Sequence, residues 1–222
     1  NIFRSVNIAL VNELKTIYEK IDVNIWEVID AAKTKPFGYM PFYPGPGLGG
    51  HCIPIDPFYL SWCAERAGET ARFVQLAGEI NTEMPGRVIN ILENALQDRC
   101  NKPLKGASIL LLGLAYKKNV DDTRESPAFF LIEIMEARGA IVEYHDPHIP
   151  EIPTTRKHAH LAGRRSIELD DKTAHRFDAL LICTDHDDVD YSKIASAEKL
   201  IIDTRNVMSD IEFEYSKKQV IR

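Results

Sequence analysis

The segment Ala107-Ser-Ile-Leu-Leu-Leu-Gly-Leu114 decides the fold that we predict for the second half of this chain. It is a short, continuous apolar run, which is typical of parallel strands because both of their faces are buried. Three later runs have the same character, at 141–144, 179–184 and 199–204. Helical patterns at 126–137 and 191–197 lie between strands, and a shorter run at 166–169 is predicted as a further strand. The alternation predicts an α/β domain with a doubly wound parallel sheet, which binds ligands at its strand carboxyl ends.

The loop that follows the first strand, 113–126, carries the charges of a candidate anion site. Lys117, Lys118 and Arg124 supply cations here, and the alternative is a charged surface loop. A dinucleotide fingerprint needs three glycines in such a turn, and only Gly113 is present, so we predict no NAD fingerprint in this domain. The ends of the other strands carry Asp146, Asp185, His186 and Arg205. An arginine in that place can bind a phosphate in bidentate fashion.

The first hundred residues show helical periodicity instead. Apolar residues recur every three or four positions in four segments, at 3–21, 24–32, 57–67 and 71–98. Pro85 lies inside the last of them and predicts a kink or a restart. We interpret 101–106 as a linker, which divides an all-helical domain at 1–100 from the sheet domain at 101–222. The long apolar stripes of the first and last helices need cover, and we expect a homodimer.

The polar residues of the first helix have two interpretations. Asn7, Asn12 and Glu13 fit a solvated face, and a functional role is the alternative.

Between the second and third predicted helices lies Pro44-Gly-Pro-Gly-Leu-Gly-Gly-His-Cys-Ile-Pro-Ile-Asp-Pro57. Glycine reaches backbone conformations that other residues avoid, and proline excludes a regular helix or an inner strand. We therefore predict a stiff, irregular loop that presents the thiol of Cys52, with Asp56 four residues later. The alternative is a Gly/Pro turn around a buried, inert cysteine.

Composition limits the classes of function. The chain has 222 residues, of which 45% are hydrophobic and 27% are charged, and its formal net charge is −6. This charge argues weakly against a nucleic-acid groove or an anionic membrane surface as a partner. The four cysteines, Cys52, Cys63, Cys100 and Cys183, form no CxxC pair, so we predict neither a disulfide framework nor a metal site. A reducing, cytoplasmic location fits best. The chain begins at Asn1 without methionine, within a helical pattern, and we expect a fragment.

Four motifs in this order resemble the UDP-sugar 6-dehydrogenases, and the resemblance covers nearly the whole chain. They are Asn1-Ile-Phe-Arg-Ser-Val-Asn-Ile-Ala-Leu-Val-Asn-Glu13, Pro44 to Asp56, Gly113-Leu-Ala-Tyr-Lys-Lys118 with Asp122-Thr-Arg-Glu-Ser126, and Ile202-Asp-Thr-Arg205. Tyr43 and the Gly-Gly-His-Cys-Ile-Pro-Ile-Asp run are most similar to the branch that acts on UDP-N-acetylglucosamine or UDP-N-acetylmannosamine. Ile55 stands where the UDP-glucose branch has lysine.

The resemblance implies an enzyme of three parts, of which this chain matches the central dimerisation domain and the UDP-binding domain. NAD is bound mainly by the N-terminal part, which also supplies an acid, and the family has a catalytic lysine one helical turn before the position of Asn1. We therefore expect the chain alone to be inactive. The intact enzyme is expected to oxidise the C6 alcohol of a UDP-sugar twice, to a carboxylate, for surface-polysaccharide precursors.

The resemblance also implies roles for individual residues. Cys52 adds to the C6 aldehyde and passes through a thiohemiacetal to a thioester. Asp56 orients the loop or activates the hydrolytic water, and Asn1 holds that water or the oxyanion. The implied substrate-binding residues are Tyr43, Gly47, Gly49, Gly50, Lys117 and Arg205. His51 is either a group that tunes Cys52 or a surface imidazole.

Three alternatives stay open at this point. The first is a UDP-glucose 6-dehydrogenase. The second is a cysteine hydrolase or transferase, which would need an imidazole such as that of His145, His148 or His186 beside Cys52. The third is a non-catalytic module for dimerisation and UDP binding.

Overall fold

The computed structural model describes residues 1–170, 172–197, 199–211 and 220–221, which form six α-helices and five β-strands. Contacts divide the chain into two compact units, Asn1–Met84 and Pro85–Arg222. Each unit is described by itself. None of the helices in the described ranges is both long enough and apolar enough to cross a bilayer.

Helices make up the first unit, as the periodicity predicted. They are α1 (Ile2–Lys20), α2 (Ile25–Lys33), α3 (Asp56–Arg66) and the first part of α4 (Arg72–Cys100). The side chain of Asn24 caps α2 by accepting the N–H of Trp26. A small core of Val11, Ile25, Trp26 and Ile29 joins α1 to α2.

Helix α4 differs from its prediction in one respect. It is a single helix of 29 residues that runs through Pro85, so no restart occurs there. After Pro85 its apolar residues, among them Ile89, Leu92 and Leu96, belong to the core of the second unit. The division between the units therefore falls within α4, whereas the pattern analysis placed a domain boundary at 100/101, at the end of this helix.

The second unit is built on a parallel sheet, which confirms the predicted α/β fold class. Its strands, in the spatial order β2-β1-β3-β4-β5, are β2 (Ile141–His145), β1 (Ser108–Leu112), β3 (Ala179–Ile182), β4 (Leu200–Asp203) and β5 (Val220–Ile221). Helix α5 (Pro127–Ala137) follows β1, and α6 (Tyr191–Ser196) follows β3. The strand order reverses between β1 and β3, so loops that leave these two strands meet at their carboxyl ends.

Both faces of the central strands β1, β3 and β4 are buried, which explains their continuous apolar runs. Ile109 and Leu111 of β1 belong to the core that contains α5, whereas Leu110 and Leu112 belong to the opposite core, which contains α6. This alternation is the period-two geometry of a strand with two covered faces.

One prediction about strands was wrong, and one strand was missed. Residues 166–169 form no strand: Arg165 makes an isolated bridge with Glu151, and the N–H of Ile167 bonds singly to the carbonyl of Tyr144. A short apolar run needs a continuous partner to become a strand, and this one has only isolated bonds. The edge strand β5 was not predicted, because two residues are too few to show a pattern.

Candidate functional site

The glycine- and proline-rich segment is an irregular loop, as predicted, and it ends in the first turn of α3. The carbonyl of Cys52 accepts the N–H groups of Ile55, at 3.0 Å, and of Asp56, at 2.8 Å. Gly47 and Gly50 have φ angles of +140° and +93°, which residues with a Cβ rarely adopt. The loop thus places Cys52 one turn before Asp56.

The thiol of Cys52 has an imidazole beside it. Its Sγ lies 3.5 Å from Nδ1 of His51, and the cysteine is half-buried while the histidine is exposed. Cys183 offers a contrast, because it is fully buried and burial raises the pKa of its thiol to about 11. The buried, inert environment that was one interpretation of Cys52 is therefore found at Cys183.

Two predicted catalytic residues touch each other although 55 positions separate them. Nδ2 of Asn1, just before α1, donates a hydrogen bond of 2.6 Å to Oδ2 of Asp56, at the start of α3. Both residues are exposed. Together with the turn of Cys52, they form a polar cluster of the residue types that the sequence indicated, which we call the Cys52 cluster: Asn1, His51, Cys52 and Asp56.

Asn12 holds the loop, and the sequence analysis missed it. This side chain is fully buried: its Oδ1 accepts the N–H of Gly45 at 2.9 Å, and its Nδ2 donates to Oδ1 of Asn81 at 3.0 Å. Asn81 in turn donates to the carbonyl of Ser5 at 3.1 Å. The interpretation of Asn12 as part of a solvated face was wrong. The available signal was that Val11, beside it, widens the apolar face of α1.

Aromatic pairs fix the start of the same loop. Tyr43 stacks on the buried Trp26, with ring centroids 5.8 Å apart and planes at 16°. Phe42 meets Phe3 edge to face at 5.5 Å. Tyr43 remains 42% exposed, so one part of its ring is available to a ligand.

In the second unit, the loops after β1 and β3 approach each other closely at Gly113. Its φ is +83°, and a Cβ there would lie 2.2 Å from the carbonyl oxygen of Thr184. The hydroxyl of Thr184 also donates to the carbonyl of Ala115 at 2.6 Å. A glycine is therefore required both by conformation and by space.

Asp146, directly after β2, is an anchor for this region. Its carboxylate is buried and accepts four backbone N–H groups at 2.6 to 3.0 Å, from Leu114, Ala115, His148 and Ile149. Burial pushes the pKa of Asp146 upward, but the hydrogen bonds from His186 and from these backbone groups outweigh it and hold the pKa below its usual value.

His186 uses both of its ring nitrogens. Its Nδ1 lies 2.9 Å from the backbone N of Asn119, and its Nε2 lies 3.1 Å from Oδ2 of Asp146. A backbone N–H can only donate, so Nδ1 must accept, and the proton of the neutral imidazole is on Nε2, which donates to the carboxylate. His186 is fully buried. It was one of the candidate bases for a cysteine hydrolase, and in this structure both nitrogens are already bonded.

The cations of the loop after β1 are not equivalent. Lys118 pairs with Asp187 at 2.7 Å, and Arg124 pairs with Asp122 at 2.5 Å. The ammonium group of Lys117 is exposed and makes no ion pair or hydrogen bond with any described residue. Lys117 is thus the loop cation that is available for an anion.

Arg205 follows β4 at the same edge of the sheet. Its Nε donates to the carbonyl of Cys183 at 2.7 Å, and its backbone N–H donates to Asp203 at 3.0 Å. Among the described residues, no partner is found for its two terminal nitrogens. The guanidinium group is anchored at one side and open at the other, an arrangement that suits bidentate contact with a phosphate.

The turn after β1 does not fit a dinucleotide. In a dinucleotide site, N–H groups at this turn and at the following helix bind the pyrophosphate. Here the carboxylate of Asp146 takes the N–H groups of Leu114 and Ala115, and Ser126 caps α5 by accepting the N–H of Ala128. The described residues also contain no group of three or more His, Cys, Asp or Glu that could hold a metal ion.

Two family models match two separate parts of the chain. The UDP-glucose/GDP-mannose dehydrogenase family, central domain, matches residues 1–83. The UDP-binding domain of the same family matches residues 110–210. The motif at Cys52 falls in the first of these regions, and Lys117 and Arg205 fall in the second.

Curated relatives and solved structures are similar over nearly the whole chain. UDP-N-acetyl-D-mannosamine dehydrogenase of Methanococcus maripaludis is 33% identical over 218 residues, which cover 94% of this chain and 46% of the relative. NDP-N-acetyl-D-galactosaminuronic acid dehydrogenase of Ralstonia nicotianae is 35% identical over 215 residues, with 94% and 46% covered. The structure of UDP-D-ManNAc dehydrogenase from Pyrococcus horikoshii superposes with a TM-score of 0.80 at 34% identity, and 97% of this chain and 48% of that one are covered. The chain thus spans about half the length of the relatives that it matches.

Proposed function

This chain belongs to the UDP-glucose/GDP-mannose dehydrogenase family, and we propose that it supplies the central and UDP-binding domains of an NAD-dependent UDP-N-acetylhexosamine 6-dehydrogenase. The observation that carries the proposal is the hydrogen bond between Asn1 and Asp56, one turn from Cys52. The names of the relatives support an N-acetylated sugar, and so does Ile55 in place of lysine. The product would be a sugar carboxylate for surface polysaccharides.

Cys52 would carry the covalent chemistry. Its thiolate adds to the carbonyl carbon of the C6 aldehyde, and the oxygen takes up a proton, which gives a thiohemiacetal. Oxidation of this adduct leaves a thioester on Cys52. Water then breaks the carbon–sulfur bond, and the acid and the free thiol are released. His51, whose Nδ1 lies 3.5 Å from Sγ, is placed to accept the thiol proton.

Asp56 and Asn1 would serve the hydrolytic step. The carboxylate of Asp56 can take a proton from the attacking water, because it is exposed and is oriented by the amide of Asn1. NAD supplies the hydride acceptor of such enzymes, and the turn after β1 does not fit it. We therefore expect the chain itself to contribute the nucleophile, the base and the UDP site.

Each unit offers groups of its own to a UDP-sugar. We assign the sugar and its acetamido group to Tyr43 and to the backbone of Gly47, Gly49 and Gly50, where the absence of side chains permits close approach. We assign the diphosphate of UDP to Lys117 and Arg205. Both side chains lie at strand carboxyl ends and have nitrogens without a described partner.

A binding experiment tests the UDP assignment. Titration calorimetry of this chain should detect UDP and no measurable NAD, because the turn after β1 does not offer free N–H groups to a pyrophosphate. Lys117→Met should weaken UDP about tenfold, the usual scale for loss of one charge-assisted contact. Tight NAD binding, or UDP affinity that is unchanged in this variant, would contradict the assignment.

A turnover experiment tests the role of Cys52 in protein that includes an NAD-binding domain. Cys52→Ser should abolish formation of the acid, because a serine hydroxyl is a poor nucleophile at neutral pH without a strong base. The measurement is NADH release from the C6 aldehyde, normalised to folded protein, with Cys63→Ser as the matched control. Aldehyde oxidation close to wild type in Cys52→Ser would refute the mechanism.

We also propose that the chain forms a homodimer through its helices. Helix α1 exposes Phe3, Leu10 and Ile17 at seven-residue intervals, which is one side of the helix, and α4 exposes Phe73 and Leu76. Exposed apolar side chains that repeat along one side of a helix often mark a protein contact. Sedimentation at low micromolar concentration should give a dimer, and a clean monomer would refute this part of the proposal.

A cysteine hydrolase is the second candidate, because His51 lies beside Cys52 as in a nucleophile–base pair. Turnover by the whole protein that requires a nicotinamide cofactor decides for the dehydrogenase, and turnover without one decides for the hydrolase.

A further inference from the structure

The loop between β1 and α5 is fixed at both of its ends. At its start, Asp146 accepts the N–H groups of Leu114 and Ala115. At its end, the hydroxyl of Ser126 donates to the carbonyl of Leu114 at 2.7 Å. The middle of the loop carries Lys117 and is not held by these bonds. It therefore needs an anchor of its own to hold a defined position.

That anchor is at Asn119. Its backbone N–H donates to Nδ1 of His186, and its side-chain amide exchanges two hydrogen bonds with Asp187, at 2.5 Å and 3.0 Å. Its φ of +59° is a left-handed conformation that few residues other than glycine adopt, and the bonds on both of its faces maintain it. Lys117 lies two residues before this point.

The acceptor at His186 is itself fixed. The imidazole is fully buried, and its other nitrogen donates to Asp146, which four backbone N–H groups hold in place. Rotation of the ring would remove one hydrogen bond from the buried carboxylate of Asp146 and leave the backbone N–H of Asn119 without its acceptor. His186 therefore presents one lone pair in one direction, toward Asn119.

The charges around this anchor distinguish two neighbouring lysines. Asp187 neutralises Lys118, whereas Lys117 has no partner within the described residues. The same segment thus contains one lysine that an acid neutralises and, directly before it, one lysine that is available to a ligand.

We propose that His186 is a positioning residue for UDP: through the N–H of Asn119 it sets the loop so that Lys117 meets the diphosphate. This inference rests on the proposed function, since it takes the ligand to be a nucleoside diphosphate. His186 itself does not touch the ligand and acts through Lys117 alone.

Two substitutions at His186 separate its two hydrogen bonds. His186→Asn places an amide oxygen near the position of Nδ1 and keeps an acceptor for Asn119. His186→Gln places an amide nitrogen near the position of Nε2 and keeps the donor to Asp146, but loses that acceptor. Calorimetry should show UDP affinity reduced about tenfold in His186→Gln and less than about threefold in His186→Asn. Equal losses in the two variants would overturn the proposal.

A double-mutant cycle tests whether the effect passes through Lys117. In a Lys117→Met background, His186→Gln should cause no further loss of UDP affinity, and neither substitution should change the binding of uridine, which has no phosphate. Additive losses, or an equal loss for uridine, would indicate a general structural role and overturn the proposal. Absence of UDP binding by the unmodified chain would instead refute the proposed function itself.

A measurement without substitutions covers the case in which His186→Gln does not fold. Amide hydrogen exchange at Asn119 in the unmodified chain should slow when UDP is added, because the anchor and the ligand order the same segment. Exchange at Asn24, in the first unit, serves as the internal control. UDP binding that leaves the exchange rate at Asn119 unchanged would overturn the proposal.

Discussion

The Cys52 loop and the loop after β1 are both irregular, and each is held by a buried polar side chain from another part of its unit, but the two anchors differ in charge. Asn12 is a neutral amide that bonds to Gly45 and Asn81. Asp146 is a carboxylate that accepts four backbone N–H groups and the imidazole of His186. Two anchors with the same structural role can therefore contribute to stability with different pH dependence, because only the carboxylate can take up a proton.

The two loops also differ in what they leave exposed. In the first unit the anchor is buried and the Cys52 cluster stays open to solvent on Asn1, His51 and Asp56. In the second unit the loop after β1 leaves the cation Lys117 open, and the buried side chains of Asp146 and His186 bond to each other. A thiol site for an aldehyde and a cationic site for a phosphate are the chemistries that match these two surfaces.

The largest effect is expected where the second loop meets its neighbour. Gly113→Ala should lower the free energy of unfolding of the second unit by about 3 kcal/mol or more, because the new Cβ meets the backbone of Thr184 and φ is left-handed. Both tryptophans, Trp26 and Trp62, lie in the first unit, so amide exchange of β1 is the suitable probe in urea.

Gly163→Ala is the matched control for Gly113→Ala. Its φ is +80°, close to that of Gly113, but a Cβ there would meet nothing within 4 Å. The control should cost only the conformational strain, about 1 kcal/mol. A similar loss in both variants would mean that conformation, and not the close approach of the two loops, explains the glycine.

Substitution of the charged anchor, Asp146, should destabilise the protein nearly as much as Gly113→Ala, and the loss should depend on pH. Asp146→Asn should destabilise the second unit by about 3 kcal/mol at pH 7, because an amide nitrogen then faces backbone donors. The folded pKa of Asp146 is lowered, since hydrogen bonds from His186 and the backbone outweigh burial. Its charge therefore adds stability above the unfolded pKa of about 4, and this contribution is lost as the pH falls through the folded pKa.

The measurement for Asp146 is a series of urea unfolding curves of both proteins from pH 7 to pH 3. The difference between wild type and Asp146→Asn should be constant near neutrality and should shrink below about pH 4. A difference that persists unchanged to pH 3 would contradict the charged anchor.

The neutral anchor should give a smaller effect without this pH dependence. Asn12→Leu keeps the branching and the number of heavy atoms of the side chain but leaves the N–H of Gly45 and Oδ1 of Asn81 unpaired, which should cost about 2 kcal/mol. Tryptophan fluorescence reports this directly, because Trp26 and Trp62 are in the same unit. The matched control is Asn7→Leu on the same helix, whose amide, within the described part of the chain, bonds only to the carbonyl of Phe3 one turn earlier and should matter less. Equal losses of stability in Asn12→Leu and Asn7→Leu would contradict the role of Asn12 as the anchor.

The sequence predicted the parts of this molecule that leave a repeated or rare pattern. Parallel strands such as β1 were predictable because burial on both faces makes every position apolar, and the loop at Cys52 was predictable because glycine and proline cluster there. The roles of Asn12 and His186 were not, because a polar residue looks the same in a sequence whether it faces solvent or a buried partner. The restart that Pro85 made possible does not occur, which shows the limit of local propensity, since α4 continues through that residue and packs on the core beyond it.

The smallest effect is expected at Lys118, the neighbour of Lys117. Its ion pair with Asp187 is exposed, and such pairs contribute little to stability because water and salt screen them. The amide bonds of Asn119 with Asp187 and His186 do not need the ammonium group, so Lys118→Ala should leave the loop in place. Calorimetry should give a UDP affinity within about twofold of wild type for Lys118→Ala, against a loss of about tenfold for Lys117→Met.

Titrations at low and at high salt separate the two lysines further. A residual effect of Lys118 on a distant phosphate should vanish at high salt, whereas the effect of a direct contact of Lys117 should persist in part. Equal losses for the two lysines would show that the loop contributes a diffuse positive field. The distinction between the ion-paired Lys118 and the phosphate-binding Lys117 would then be wrong.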